Sequence, residues 1–150
     1  PKKVDGLLIP VPVSGTHIGF STLRMEPCWM ALGQAAGTAA CVAIDDQTQP
    51  RKIGTEKLQA RLLAQDAVLV YFQDAKPGDA HYDALQYFAL RGFFGPEQWQ
   101  AKLDQPATEK IAEEWSQKAG VDKPTDYAPG KTTRGELLAM LLQSVGSHNQ

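Results

Sequence analysis

The residues best suited to chemistry stand near the start of the chain in two groups: Ser14, Gly15 and His17, then Arg24, Met25, Glu26, Pro27, Cys28 and Trp29. The first group suits close approach and proton transfer. Gly15 lacks a Cβ and lets another group come near the backbone. His17 carries an imidazole whose ordinary pKa of about 6.5 fits acid–base work near neutrality. It is the candidate catalytic residue, with a single structural hydrogen bond as the alternative role. The second group opens a helix. Pro27 fits a first turn, where its missing N–H costs nothing, and Glu26 places negative charge at the positive end of the helix dipole. The first N–H groups of such a helix lack intrahelical partners and together carry about half a positive charge, so the terminus attracts anionic groups. Arg24 can neutralise a carboxylate or a cofactor, or pair with Glu26.

Other chemistries find little support. His17, His81 and His148 are far apart and none lies near a cysteine, so no metal-ligand spacing is present and no metal site is expected. Cys28 and Cys41 would sit roughly 20 Å apart along one helix, too far to pair, and are read as small buried side chains. The net charge of −2 and the scattered lysines and arginines disfavour nucleic acid. No apolar run of about 18 residues stands out, so no transmembrane segment is expected. The chain opens Pro1-Lys2-Lys3 without a methionine and is read as a piece of a longer protein, its compartment unreadable from this end.

The elements that would position these residues follow from local pattern. Asp5–Val13 is short, apolar and β-leaning, with Pro10 and Pro12 at alternate positions as on an edge strand. Ser14–Leu23 reads as a Gly/Ser/Thr-rich loop. Glu26–Ile44 is the clearest helix, with Gly33, Ala36, Gly37 and Ala40 forming a smooth face for close packing. A second helix is expected over Thr55–Gln65, and Val68–Phe72 is expected to be extended. Gln73–Asp79 carries turn chemistry, which divides the chain into 1–72 and 73–150.

Beyond it the pattern is helical. One helix carries Tyr82, Leu85 and Phe88 and stops at Arg91-Gly92; another opens near Thr108 and closes at Gly120. Thr133-Arg134-Gly135-Glu136 matches a capping box and opens a last helix, and the tail from Gly146 is expected to fray. Trp99 and Trp115 are assigned to the core of this part, and His81 to solvent. The fold expected is an α/β remnant of strand, loop and long helix, joined to a mainly α-helical module.

The run from Val11-Pro12-Val13-Ser14 through Thr16-His17 to RMEPCWMALGQAAGTAA (Arg24–Ala40) resembles the end of the flavin domain in bacterial FAD-dependent oxidoreductases of the glutathione reductase superfamily. The resemblance covers about the first 70 residues. It implies FAD as cofactor and a small-molecule substrate. The helix amino terminus would face the pyrimidine edge of the isoalloxazine, where reduced flavin carries negative charge. It further implies Arg24, Met25, Glu26, Pro27, Cys28 and Trp29 beside the ring, and Ser14 and Gly15 beside the ribityl chain or pyrophosphate. The nucleotide fingerprint of that superfamily, Gly-x-Gly-x-x-Gly between strand and helix, is absent from this sequence. The remaining flavoprotein portion is therefore an expected partner, this piece alone is expected to be inactive, and self-association through the uncovered helix face is a further possibility.

The second half more weakly resembles the S-layer-homology type of helical module, through Tyr71-Phe72-Gln73-Asp74, Leu90-Arg91-Gly92-Phe93-Phe94 and Thr132-Thr133-Arg134-Gly135-Glu136. That resemblance implies either a structural cap or a cell-surface or glycan-binding module. A role in a polysaccharide-processing protein is a third reading, although no lyase constellation of Tyr, His and Arg is recognisable.

Overall fold

The computed structural model describes residues 3–148 and separates the chain into two compact units, Pro1–Gln65 and Asp66–Gln150. The first holds α1 (His17–Leu23), α2 (Glu26–Asp45), a 3-10 turn (Pro50–Lys52) and α3 (Thr55–Leu63). The second holds α4 (Tyr82–Ala89), α5 (Glu109–Ala119) and α6 (Arg134–His148). Among the described residues there is no sheet, only isolated bridges between Phe72 and Ala75 and between Pro106 and Thr133. The expected α/β remnant is therefore corrected to an all-helical first unit. Pro10 and Pro12 donate no backbone hydrogen bonds, and no neighbouring strand offers residues 5–13 a ladder, so the segment stays irregular. What holds it is Arg51, which pairs with Asp5 at 3.0 Å and donates to the Val4 carbonyl at 2.9 Å.

The long helix forms as its pattern requires. Pro27 sits in its first turn. At the other end Gln47 takes the left-handed conformation (φ 50°), and the Thr48 N–H reaches back to the Ala43 carbonyl at 2.9 Å. Thr38, Ala39, Val42 and Ala43 are its buried face, and it packs against α3, where Leu62 is buried. Arg61 reaches Asp45 at 2.8 Å and Lys57 pairs with Asp46, surface contacts that contribute little each. The opposite side of α2 is bare. Met30 and Ile44 are each 75% exposed, and a Cβ added at Gly33 or Gly37 would meet nothing within 4 Å. Among the described residues α2 alone is long and apolar enough, by length and composition, to cross a membrane; core helices of soluble proteins pass the same measure, and no strong transmembrane span stands out, as expected.

The second unit encloses a continuous core of Phe72, Leu85, Phe88, Phe93, Phe94, Trp115, Tyr127, Leu137, Leu138 and Leu141 with several alanines. Its helix ends follow local rules. Thr108 Oγ1 accepts from the Ile111 N–H at 3.3 Å, and Gly120 (φ 69°) closes α5. At α6 the capping box is complete: Thr133 Oγ1 accepts from the Glu136 N–H at 3.2 Å while Glu136 Oε2 accepts from the Thr133 N–H at 2.7 Å. Residues 68–72, grouped from sequence with the first part, belong to this unit. Fully buried Gln86 draws them in: its Oε1 accepts from the Leu69 and Val70 N–H groups at 2.9 and 2.8 Å, and its Nε2 donates to the Val70 carbonyl at 2.8 Å. α6 runs on to His148 rather than fraying from Gly146, and residues 149–150 of the expected tail lie outside the described residues.

Candidate functional site

Ser14–Leu23, expected as a loop, contains a helix. Thr16 caps α1, its Oγ1 accepting from the Gly19 N–H at 3.1 Å, and His17 is the first helical residue. Ser14, Gly15 and His17 are all exposed. Gly15 lies against Leu23, whose Cδ1 would stand 2.9 Å from an added Cβ. Glycine is therefore accounted for by a contact within the chain itself.

The second group forms the elbow between α1 and α2. Arg24 closes α1, and its N–H donates to the Phe20 carbonyl at 3.0 Å. Met25 turns extended (φ −77°, ψ 138°) and is the residue before α2, with no side-chain cap. The Cys28 and Trp29 N–H groups fold back on the Met25 carbonyl at 3.0 and 3.3 Å. Arg24, Met25, Glu26 and Pro27 are exposed, while Cys28 and Trp29 are half-buried. Trp29 Nε1 is buried without a hydrogen-bond partner, a donor of the kind that folded proteins rarely leave unpaired.

Ser14, Gly15 and His17 thus stand at one end of α1, and Arg24–Trp29 at the other, with a seven-residue helix of roughly 10 Å between them. They form two stations along one edge rather than a single cluster. An uncapped 20-residue helix starts in the open beside the exposed Arg24, and such a terminus favours negative charge. Among the described residues no glycine-rich turn joins a strand to a helix. Among the described residues no group of three or more His, Cys, Asp or Glu side chains is placed to hold a metal ion.

A second place was not anticipated. In the second unit a cleft of about 470 Å³ is lined by Gln73, Glu97, Gln98, Trp99, Gln100, Lys102 and Arg134. Trp99, assigned from sequence to the core, is 57% exposed at its rim, whereas Trp115 is 3% exposed as expected. Tyr71, 63% exposed, meets Trp99 edge-on with ring centroids 6.4 Å apart. Asp74 fixes the adjoining loop by accepting the Ala101 and Lys102 N–H groups, both at 2.8 Å. The Arg134 guanidinium lies 5.2 Å from the Trp115 ring and 5.9 Å from that of Phe94. Burial pulls its pKa below the ordinary arginine value, the nearby Asp74 opposing, and its Nε is buried without a partner. The loop residues around Trp99 have no periodicity, so only the fold reveals the cleft; Arg134, inside the capping-box motif, was visible as a cap and not as a lining residue.

Residues 1–62 match a family described as FAD dependent oxidoreductase. No curated protein and no solved structure matches the chain.

Proposed function

We propose that residues 1–62 form one wall of the flavin site of an FAD-dependent oxidoreductase, with the first turn of α2 directed at the isoalloxazine. The observation that carries this reading is the coincidence of the family match with an open helix terminus at Glu26–Trp29. When bound, the flavin supplies the acceptor for hydride or electrons from a small substrate. The chain's own part is electrostatic. The positive end of the α2 dipole and the Arg24 guanidinium would stand where negative charge gathers, a field that needs no reorganisation as it arrives. Met25, Glu26, Pro27, Cys28 and Trp29 would line that edge. Ser14 and Gly15 would lie further along the cofactor, and His17, exposed at the start of α1, would serve as proton donor or substrate contact. The nucleotide half would be held by another portion of the flavoprotein, so these 150 residues alone would neither retain FAD nor turn over substrate.

The test is to purify the complete gene product and this chain side by side and record visible flavin absorption and quenching of FAD fluorescence. A yellow complete protein beside a colourless chain is expected. A complete protein that never takes up flavin would remove the reading.

One observation favours a second role, for residues 66–150: the cleft at Trp99. The exposed faces of Trp99 and Tyr71 suit a sugar ring, and Lys102 and Arg134 suit a negatively charged substituent on it. On this reading the second unit is a cell-surface or glycan-binding module of the S-layer-homology type. Titration with acidic polysaccharide should change tryptophan emission in the native chain and not in Trp99→Ala, and Arg134→Gln should weaken binding at least tenfold. An unchanged signal in the native chain would leave the unit a structural cap.

A further inference from the structure

We draw no further inference here: the strongest candidate, the exposed apolar side of α2 at Met30 and Ile44, carries nothing because nothing in the structure shows what covers it.

Discussion

The two units differ in what they bury. In the second, Phe88, Leu85, Trp115, Leu137, Leu138 and Leu141 are almost wholly enclosed, and aromatic rings meet one another from Phe72 through Phe94 to Trp115. In the first, the enclosed apolar side chains are Ala39, Val42, Ala43 and Leu62, while Leu7, Ile9, Val11, Ile18, Phe20, Met25, Met30 and Ile44 lie open. Full burial of a Leu or Phe side chain contributes about 1.5–3 kcal/mol, so the second unit has the makings of a self-sufficient domain and the first does not. The second unit has exposed apolar side chains too, Tyr71 and Trp99 among them, but they stand beside a closed core that the first unit lacks.

Substitutions sharpen this contrast. The largest effect is expected for Phe88→Ala, at roughly 3–5 kcal/mol of stability, read from urea unfolding followed by tryptophan fluorescence. Met30→Ala in the first unit should change the same curve by less than about 0.5 kcal/mol. Equal effects would break the comparison.

Next comes Gln86→Leu. It leaves the Leu69 and Val70 N–H groups without their acceptor, at about 1–3 kcal/mol for each group left buried and unpaired. Faster amide exchange at Leu69 and Val70 should accompany the loss. Unchanged exchange there would show that the segment is held by something other than the carboxamide.

Gly135→Ala is smaller. Its Cβ would fall 2.8 Å from His81 Cδ2, and the overpacking should cost roughly 1–3 kcal/mol. His81→Ala should recover most of that loss in the double variant.

The smallest effect belongs to the α6 cap. Hydrogen bonds from the Thr133 backbone and side chain hold the Glu136 carboxyl below its ordinary pKa. A carboxyl whose folded pKa is depressed contributes stability above its unfolded value of about 4.3 and loses it as pH falls through the lower folded value. Thr133→Ala should therefore be less stable than the native chain at neutral pH, and the gap should narrow in acid without closing, because the Thr133 Oγ1 cap on the Glu136 N–H does not titrate. A gap that widens in acid would contradict the sign.

What was legible in the sequence was local. Pro27, Thr108, Gly120 and the Thr133–Glu136 pair mark helix ends through neighbours three or four residues away, and the structure places each where the pattern does. What was not legible depends on distant partners. A β-leaning run at residues 5–13 becomes a strand only beside another strand. Val68–Phe72 joins the second unit because Gln86, far along the chain, is buried against it. Thr16 caps a helix in a segment whose glycines, serines and threonines conceal any period. Trp99 looked like core because tryptophan is usually buried, yet the Gln-rich loop around it turns it outward. The candidate flavin edge was readable as a motif, but its division into two stations by α1 was not.

The most direct measurement is amide hydrogen exchange across Met25–Trp29 in the complete gene product, with and without FAD. FAD should slow exchange at Cys28 and Trp29 at least tenfold and leave α5 unchanged. Equal exchange at α2's first turn in the two states, in a protein that demonstrably holds FAD, would contradict this expectation.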